Sequence, residues 1–456
     1  MIKRIEGKAG LKGTVISPPD KSISHRALIF SSIAQGQSRI EDLLLAADTI
    51  STLNAMKLLG AKIEGYGKKK RVPGFGAAYR NYLITGKGLH GLSEPATFID
   101  CGNSGTTTRL LCGLLSGNPF FSVLSGDESL NSRPMKRVIQ PLVNMGADIR
   151  ARASDSYPPI AIRGGNLNGL KYDMPVASAQ VKSALMLAGL YADGETVIKE
   201  PSLSRDHTER MLSSMGASII EEVTGEVSAG GNPIGAAHVI RIQKPANELS
   251  PFEIKIPGDF SSAAFFIVGA LITQNSRITI KNVCLNPTRT GLLGALQAMG
   301  AIINIKNKKI ISGELVGDLH VNGKQGLRAI DVNESWIPLM IDEIPILCVA
   351  AACAQGRSEI RGATELRVKE SDRIKAMAKG LESMGIEVEE FEDGLAITGG
   401  TMKGALIDSF GDHRIAMSFA IAGLSASGIT EIENGEEAVK ISYPDFFQTL
   451  KRLANG

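Results

Sequence analysis

Eight short segments of this 456-residue chain place small polar side chains, most of them beside Lys or Arg, where a strand-like stretch meets a helix. The segments are PPDKSISHR, DCGNSGTTTR, NSRPMKR, VASAQ, LSRDHTER, ELRVKESDRIK, GDHR and AVKISYPDFF. A helix N-terminus offers unpaired N–H groups and the positive end of the helix dipole, which together favour a bound anion. Arginine adds a fork that donates two parallel hydrogen bonds to a carboxylate or phosphate. The segments therefore predict a site for ligands that carry several such groups.

The basic residues of these segments recur at helix starts. Lys21, Arg26, Arg373 and Arg414 all lie in or near a predicted first turn, where a cation opposes the helix dipole. Their recurrence predicts that bound anions compensate for this cost. The other candidates from the same segments are Ser22, Asn103, Gly105, Thr106, Arg133, Ser178, Gln180, Arg205, Lys369 and Lys440. Each charge, taken alone, also fits a surface charge or a local ion pair beside a helix cap.

Two acidic residues stand among these cations. Asp342 opens an otherwise apolar helix, and Glu370 is flanked by Lys369 and Arg373. Nearby positive charge favours the ionised form of a carboxyl group. Either acid could therefore serve as a base, or pass a proton when anionic substrates offset the cations. The alternative for Asp342 is that it only caps its helix.

The elements that must position these residues form a sixfold repeat. A helix-like stretch ends on Leu-Gly or Met-Gly before a β-prone run at Gly60, Gly146, Gly216, Gly300 and Gly385, and the sixth copy ends at Gly456. Gly60 to Gly300, Gly146 to Gly385 and Gly216 to Gly456 are 240, 239 and 240 residues apart. This register predicts two halves of three units each.

A second series of six mostly apolar helices interleaves with the first. Their polar starts are at Lys21, Asn103, Ser178, Asp259, Asp342 and Asp412. A polar start, an apolar body and a Gly stop are helix boundary signals. Small residues on several faces predict helices that are buried on all sides within each half.

Composition excludes several function classes. A formal charge of +3 predicts no general affinity for nucleic acid or membranes. The N-terminus lacks an apolar signal core, and the five cysteines show neither a disulfide framework nor metal-ligand spacing. We therefore expect a cytoplasmic protein without a metal site. The basic run at residues 68–71 is expected in a solvated loop.

The polar segments, taken in order, resemble the enolpyruvyl transferase family nearly end to end. The most specific pieces are PPDKSISHR, GNSGTTTRLL, SRPMKR, ASAQVKSA, RDHTE, IDEIPIL, ELRVKESDR and GDHRIAMS. The resemblance implies an α/β fold of the two-domain, inside-out barrel-like type, with three βαβαββ units in each domain. It implies one domain at residues 21–247 and a second formed by residues 1–20 and 248–456. It also implies a monomer that needs no metal or organic cofactor.

The resemblance further implies transfer of the enolpyruvyl group of phosphoenolpyruvate to the 5-hydroxyl of shikimate 3-phosphate, with release of phosphate. Proton transfer would involve Asp342, Glu370 and Lys21. Shikimate 3-phosphate would be bound by Lys21, Ser22, Arg26, Ser178, Ala179, Gln180, Arg205, Asp342 and Lys369. Phosphoenolpyruvate would be bound by Lys21, Asn103, Gly105, Thr106, Arg133, Gln180, Glu370, Arg373, His413, Arg414 and Lys440. Ala179 and Arg205 resemble the subgroup, class II, that uses Arg near the shikimate phosphate.

Two alternatives compete with this hypothesis. The sister activity on UDP-N-acetylglucosamine uses the same fold and the same phosphoenolpyruvate, but it relies on a Cys shortly before an Arg-Pro. This chain has Asn131 and Ser132 before Arg133. The other alternative is a two-lobed binding or sensor protein without turnover, because a fold alone does not establish activity. Asp342 and Glu370 argue against it, since an anion binder gains nothing from acids in a cationic site.

Overall fold

The computed structural model describes residues 2–7, 10–72, 76–227, 233–323, 325–332 and 334–455. The chain forms two compact units. The N unit comprises Pro19–Ile256 and Ile311–Gly313, and the C unit comprises Met1–Pro18, Pro257–Ile310 and Glu314–Gly456. The domain limits expected from the sequence, residues 21–247 for one domain and residues 1–20 with 248–456 for the other, remain a prediction.

The first two strands, β1 (Lys3–Glu6) and β2 (Lys12–Ile16), belong to the C unit. Three repeats of the N unit follow. The first has α1 (Lys21–Ile33), β3 (Gln35–Glu41), α2 (Ala47–Leu58), β4 (Lys62–Val72) and β5 (Gly76–Lys87). The second has β6 (Ile99–Asp100), α3 (Gly105–Ser116), β7 (Phe121–Ser125), α4 (Glu128–Asn131), α5 (Lys136–Asn144), β8 (Asp148–Ala151), the short turn α6 (Arg152–Asp155) and β9 (Tyr157–Arg163). The third has β10 (Lys171–Asp173), α7 (Ala179–Gly189), β11 (Thr196–Glu200), α8 (His207–Ser214), β12 (Ile219–Val227) and β13 (Pro233–Ile242), after which comes β14 (Glu253–Lys255).

The C unit continues with three more repeats. The fourth has α9 (Phe260–Ile272), β15 (Arg277–Cys284), η1 (Pro287–Arg289), α10 (Gly291–Ala298), β16 (Ile303–Ile311) and β17 (Glu314–Asn322). The fifth has β18 (Asp331–Val332), η2 (Glu334–Trp336), α11 (Ile337–Met340), α12 (Ile344–Ala352), β19 (Arg357–Ile360), η3 (Thr364–Val368), α13 (Arg373–Ser383), β20 (Glu387–Phe391) and β21 (Gly394–Thr398). The sixth has β22 (Leu406–Asp408), α14 (His413–Ser425), β23 (Ile429–Glu433), α15 (Gly435–Val439) and α16 (Phe446–Ala454).

Each of the first five repeats forms one four-stranded sheet in which a parallel strand pair is extended by an antiparallel hairpin. The strand orders are β14-β3-β5-β4, β6-β7-β9-β8, β10-β11-β13-β12, β16-β17-β15-β2 and β18-β19-β21-β20. The sixth sheet has three strands, β1-β23-β22, where β1 pairs antiparallel with β23. The first and fourth sheets borrow their outer parallel strands, β14 and β2, from distant parts of the chain. The pairing of β1 with β23 and of β2 with β15 explains why these N-terminal strands belong to the C unit.

The glycines that mark the repeats end helices as expected. Gly60, Gly146, Gly216, Gly300 and Gly385 have φ between +82° and +101°, a conformation that an L side chain disfavours. Gly456 lies outside the described residues. The six apolar helices are largely buried, and α9 is buried along its whole length. A Cβ at Gly113 would collide with the carbonyl of Ala184, so this glycine lets α3 approach α7 closely.

The basic run at residues 68–71 lies in β4, so the expectation of a loop was wrong. Lys69 pairs with Tyr79 and Lys70 with Ala78 across the β4–β5 hairpin, after a register shift that follows Tyr66. The Nζ of Lys69 lies 5.0 Å from the centre of the Tyr79 ring. Both lysines are exposed, because a hairpin strand can keep its basic side chains in water while its backbone is paired.

Among the described residues, no single helix is both long and apolar enough to cross a membrane. By length and composition only, one pair could do so together, Glu334–Met340 with Ile344–Ala352, and it is bent by 115°.

Candidate active site

Three of the helix-start cations lie one or two positions after the aspartate that caps their helix. Lys21, Arg373 and Arg414 lie in the first turns of α1, α13 and α14, and the caps are Asp20, Asp372 and Asp412. Each cap carboxylate accepts a backbone N–H, at 2.8–3.0 Å. These carboxylates offset the cation's unfavourable position at the dipole, so the position alone does not require a bound anion. The case for a ligand site must come from the contacts of the side chains.

Lys21 is tied to an acid that the sequence did not single out. Its Nζ lies 2.7 Å from Oδ2 of Asp48 in α2, and the two side chains are 18% and 6% exposed. This ion pair fixes the ammonium at the start of α1 while leaving part of it open to solvent. Ser22, the next residue, is also partly exposed.

Arg26 lies on the sixth position of α1 and is buried. Its Nε donates to the hydroxyl of Thr208 and its Nη2 to the hydroxyl of Ser183, both at 2.7 Å. Its Nη1 donates to the carbonyl of Ser22 at 3.1 Å. The guanidinium is thus oriented by hydroxyl and carbonyl oxygens from α1, α7 and α8.

The start of α3 brings Asn103, Gly105 and Arg133 together. Arg133, which is buried, donates from Nη1 to the carbonyl of Asn103 at 3.1 Å and from Nη2 to its Oδ1 at 2.5 Å. A Cβ at Gly105 would lie 2.8 Å from Nη1 of Arg109 and 3.5 Å from Nη1 of Arg133. Two guanidinium groups therefore flank the backbone of residue 105, as a cradle for an anion requires.

Gln180 in the first turn of α7 links α7 to α3. Its Nε2 donates to the hydroxyl of Thr106 at 2.9 Å, and its Oε1 accepts from Nη1 of Arg109 at 2.5 Å. Ser178, Ala179 and Gln180 are all partly exposed, as is Arg205 in the segment that joins β11 to α8. These residues are therefore accessible to a ligand in the folded unit.

In the C unit, the buried side chain of Arg373 contacts three carboxylates. Its Nε lies 2.8 Å from Oδ2 of Asp412, its Nη2 lies 2.6 Å from Oε2 of Glu370, and its Nη1 lies 3.4 Å from Oδ1 of Asp342. Although burial alone would lower the pKa of Arg373, Asp412, Glu370 and Asp342 raise it above its ordinary value. The guanidinium therefore stays charged and orients both candidate proton carriers.

Asp342 does not begin its helix. It lies in the turn before α12, whose cap is Glu343 and whose first turn contains Pro345. Its Oδ2 lies 3.4 Å from Nη2 of Arg414, and its carbonyl accepts from Nη1 of Arg414 at 3.2 Å. The side chain is 15% exposed. The residue is therefore a carboxylate held between two arginines, and the alternative that it only caps a helix is wrong.

The other expected residues of the C unit have different surroundings. Glu370 is 19% exposed. Lys369 beside it is partly exposed, and burial, opposed by Asp342, lowers its pKa from the ordinary value. His413 is buried, with Nδ1 4.0 Å from Oδ1 of Asp412. Lys440 lies at the end of α15, is 35% exposed, and pairs with Glu437 at 2.6 Å.

Sequence reasoning missed three residues that hold these side chains. Asp48 pairs with Lys21, Arg109 binds Gln180, and Asp412 binds Arg373. Asp412 and Arg109 stand inside the quoted segments GDHR and GNSGTTTRLL, so their presence was visible but their partners were not. Asp48 gave no sequence signal beyond an acid in the first turn of α2.

Within the part of the chain that the structure describes, one group of side chains has the spacing of a metal site. It consists of Glu209, Glu221 and His238. The Nζ of Lys182 already lies 2.7 Å from Oε1 of Glu209, so an ammonium group occupies the position next to this carboxylate. The donor set therefore does not fit a resident metal ion.

Comparisons with known proteins show the family to which this sequence belongs. A family model described as EPSP synthase (3-phosphoshikimate 1-carboxyvinyltransferase) matches residues 5–450. A 3-phosphoshikimate 1-carboxyvinyltransferase of Carboxydothermus hydrogenoformans is 50% identical over 458 residues, covering 100% of both chains. Another, of Thermodesulfovibrio yellowstonii, is 49% identical over 444 residues, covering 97% of both chains.

The solved structure of an EPSP synthase from Acinetobacter baumannii has a TM-score of 0.82 and 43% identity to this chain, with coverage of 99% of this chain and 98% of that one. This likeness confirms the expected inside-out α/β fold, with which the six repeated sheets agree. The chain belongs to the EPSP synthase (3-phosphoshikimate 1-carboxyvinyltransferase) family.

Proposed function

We propose that this chain transfers the enolpyruvyl group of phosphoenolpyruvate to the 5-hydroxyl of shikimate 3-phosphate and releases inorganic phosphate. Its membership of the family, with relatives of that name at 49% and 50% identity, supports this reaction. The activity belongs to the shikimate pathway, which leads to chorismate and the aromatic amino acids. We further propose that the chain acts as a monomer.

Shikimate 3-phosphate is assigned mainly to residues of the N unit. Arg26 and Arg205 supply positive charge for its phosphate and carboxylate, and Gln180 supplies an amide that α3 holds in place. The full set is Lys21, Ser22, Arg26, Ser178, Ala179, Gln180 and Arg205, with Asp342 and Lys369 of the C unit.

Phosphoenolpyruvate is assigned to cations of both units. The backbone of Gly105, flanked by Arg133, offers N–H groups at the start of α3. The full set is Lys21, Asn103, Gly105, Thr106, Arg133 and Gln180 of the N unit, and Glu370, Arg373, His413, Arg414 and Lys440 of the C unit. Because Arg373 already contacts three carboxylates, its part is to position Glu370 and Asp342 as well as to attract the anion.

The reaction is an addition followed by an elimination, with two proton transfers in the addition and one, at C3, in the elimination. In the addition step, the 5-hydroxyl oxygen bonds to C2 of phosphoenolpyruvate and loses its proton, while C3 gains one. In the elimination step, C3 loses a proton, the bond from C2 to the phosphate oxygen breaks, and phosphate leaves with that electron pair. Arg373 and Arg414 stabilise the ionised form of Asp342, so we assign it the 5-hydroxyl proton. Glu370 is assigned the proton at C3, and Lys21 offsets negative charge at the reacting centre.

The observation that carries this proposal is that one buried guanidinium contacts both acids. Arg373 lies 2.6 Å from Glu370 and 3.4 Å from Asp342. Holding two carboxylates together in a site for anions costs binding energy, because like charges repel. Such an arrangement is explained by proton transfer and not by anion binding alone.

The test is release of inorganic phosphate from phosphoenolpyruvate, with shikimate 3-phosphate or UDP-N-acetylglucosamine as the acceptor. We expect release only with shikimate 3-phosphate. Glu370→Gln should lower kcat by about 100-fold or more, the scale for losing a general acid or base. The matched control is Glu382→Gln, an exposed glutamate on α13, which should keep full activity.

Binding of both substrates without phosphate release would contradict the proposed function and favour the sensor alternative. Release with UDP-N-acetylglucosamine would assign the chain to the sister reaction. Equal kcat values for Glu370→Gln and Glu382→Gln would remove Glu370 from the chemistry while leaving the overall reaction intact.

A further inference from the structure

A buried cluster of charges lies in the N unit among residues to which the reaction gives no part. Lys182 in α7, Glu200 at the end of β11 and Glu209 in α8 have fully buried side chains. The Nζ of Lys182 lies 2.8 Å from Oε1 of Glu200 and 2.7 Å from Oε1 of Glu209. Burying charges is costly, and apolar residues of similar volume would often be at least as stable. The cluster therefore calls for an explanation other than stability.

The same glutamate holds the residue that precedes Arg205. Oε1 of Glu200 accepts the backbone N–H of Ser204 at 3.2 Å, and its Oε2 accepts the Ser204 hydroxyl at 2.6 Å. The Nζ of Lys182 donates to the Ser204 carbonyl at 3.3 Å. All three polar groups of Ser204 are thus bound by the cluster, and this fixes the backbone from which Arg205 extends.

The cluster also adjoins the pair of hydroxyls that holds Arg26. Ser183 and Thr208 are the neighbours of Lys182 and Glu209 in sequence, and their hydroxyls are 2.6 Å apart. The Lys182–Glu209 ion pair and this hydrogen bond connect α7 to α8 at two successive positions. Both hydroxyls accept from the guanidinium of Arg26 at 2.7 Å. The spacing of α7 and α8 consequently determines where Arg26 can lie.

His238 on β13 completes the cluster. Its Nδ1 lies 2.8 Å from Oε1 of Glu200, and its Nε2 lies 3.1 Å from Oε2 of Glu221 on β12. Burial would lower the pKa of His238, but Glu200 and Glu221 raise it to about 9. Burial would raise the pKa of Glu200, but Lys182 and His238 lower it to about 2. Ionised Lys182 and His238 therefore offset the charge of Glu200, whereas burial, opposed by Lys182, raises the pKa of Glu209 above its ordinary value.

We propose that Lys182, Glu200 and Glu209 are positioning residues for the phosphate subsite of shikimate 3-phosphate, acting through Ser204 on Arg205 and through Ser183 and Thr208 on Arg26. This inference rests on the proposed function for the identity of the ligand. The proposal assigns the cluster to shikimate 3-phosphate and not to phosphoenolpyruvate. Of the residues proposed to bind phosphoenolpyruvate, only Gln180 lies close to the cluster in sequence, two positions before Lys182 on α7. Substitutions that disrupt the cluster should therefore weaken the binding of shikimate 3-phosphate far more than the binding of phosphoenolpyruvate.

The test uses the full chain and the variants Lys182→Met, Lys182→Arg and Glu209→Gln. The matched control is Lys199→Met, an exposed lysine on β11 next to Glu200. Binding of shikimate 3-phosphate alone is measured by calorimetry, and KM for each substrate and kcat by phosphate release. We expect Glu209→Gln and Lys182→Met to raise the Kd and KM for shikimate 3-phosphate by about tenfold or more, within the range for misplaced binding groups. The KM for phosphoenolpyruvate and kcat should change much less, Lys182→Arg should recover part of the affinity, and Lys199→Met should match the parent.

Lys182→Met leaves two buried carboxylates without their ammonium and can prevent folding, and in that case Glu209→Gln decides. Folded variants whose KM values for both substrates rise equally, or do not rise, would overturn the proposal by showing a merely structural cluster. The calorimetric measurement needs no turnover. A parent chain that binds shikimate 3-phosphate without releasing phosphate would contradict the proposed function alone, and the positioning role would still be decided by the affinities of the variants.

Discussion

Two site arginines of the N unit, Arg26 and Arg133, and two of the C unit, Arg373 and Arg414, are held by different kinds of oxygen. Arg26 and Arg133 donate the hydrogen bonds described above to hydroxyl, amide and carbonyl oxygens. Arg373 and Arg414 contact carboxylates. A neutral acceptor orients a guanidinium without cancelling its charge, whereas a carboxylate cancels much of it.

This difference indicates which part of the reaction, anion binding or proton transfer, each unit is suited to carry out. Cations held by neutral groups keep their attraction for phosphate and carboxylate, so the N unit is suited to bind polyanions. Cations held by acids keep those acids ionised and oriented, so the C unit is suited to move protons. Lys21 differs from Arg26 and Arg133 because it pairs with a carboxylate, that of Asp48, and this pairing agrees with its proposed place at the reacting centre.

Removing the central cation of the C unit should have the largest effect. Arg373→Met leaves Asp412, Glu370 and Asp342 without their shared partner, so we expect a loss of about 3–5 kcal/mol in the free energy of unfolding and no measurable phosphate release. Urea unfolding and the phosphate assay measure the two effects. Arg361→Met removes an exposed arginine that also pairs with two carboxylates, and it should leave the free energy of unfolding nearly unchanged because solvent screens these pairs. Equal free energies of unfolding for Arg373→Met and Arg361→Met would contradict the central role given to Arg373.

Neutralising one acid of the C unit should test whether this unit moves protons. Asp342→Asn keeps the size of the side chain but cannot accept a proton, so kcat should fall by about 10²–10⁴-fold. The KM for shikimate 3-phosphate should change far less than kcat. Deuterium uptake at C3 of phosphoenolpyruvate in D₂O would separate the two acids, because Glu370→Gln should suppress uptake at C3 directly. If Asp342→Asn raised only KM, Asp342 would be a binding residue.

The sequence predicted the parts of this arrangement that follow local rules. Repeated Gly60 and Gly300 mark helix ends because a left-handed residue must follow a helix there, and this requirement is visible in one dimension. The pairing of Arg373 with Asp412 spans 39 residues and joins the starts of two helices. Such a contact depends on how repeats pack and leaves no mark in local spacing.

The limits of local sequence patterns also explain the two predictions that were wrong. The residues around Lys69 read as a loop because charge and glycine outweighed the weak signal of an exposed hairpin strand. Asp342 read as a helix start because an apolar run follows it, whereas Pro345 in the first turn of α12 sets the helix two residues later. Most candidate site residues were found from the polar segments at helix starts, their roles through the family resemblance, and their partners only through the structure.

Exchanging a guanidinium for an ammonium should test the N unit. Arg26→Lys keeps the charge but loses the fork that binds Thr208 and Ser183. We expect the KM for shikimate 3-phosphate to rise by roughly 10–100-fold, from hydrogen bonds of a charged group worth about 1.5–3 kcal/mol. Phosphate release at varied concentrations of each substrate measures the effect, and Arg80→Lys, whose side chain on β5 is 43% exposed, is the control. An equal rise in both KM values would contradict the assignment of Arg26 to shikimate 3-phosphate.

A methyl group at the start of α3 should have a smaller effect. In Gly105→Ala the new Cβ would lie 2.8 Å from Nη1 of Arg109, whose side chain must then move away from Gln180. Overpacking of this kind costs about 1–3 kcal/mol, so we expect the KM for phosphoenolpyruvate to rise by roughly tenfold while the protein stays folded. Gly165→Ala is the control, since open space surrounds its added Cβ. Unchanged KM values would show that Arg109 moves without disturbing the site.

The smallest expected effect would show whether the N unit keeps its positive charge. Burial lowers the pKa of His25 well below 6.5, and Lys21 and Arg26 lower it further against the opposing effect of Asp20. As the pH falls below about 6.5, the unfolded chain takes up a proton that folded His25 does not, so the free energy of unfolding falls by up to about 1.4 kcal/mol per pH unit. This stability is fully present above the ordinary pKa of 6.5. His25→Asn should remove that part of the acid dependence in urea unfolding, whereas the exposed His90→Asn should keep it. Lys21→Glu should raise the pKa of folded His25 toward its ordinary value, so this variant should also weaken the acid dependence. If it does not, burial alone sets the pKa of His25, and the positive field attributed to the N unit is too weak to select anions.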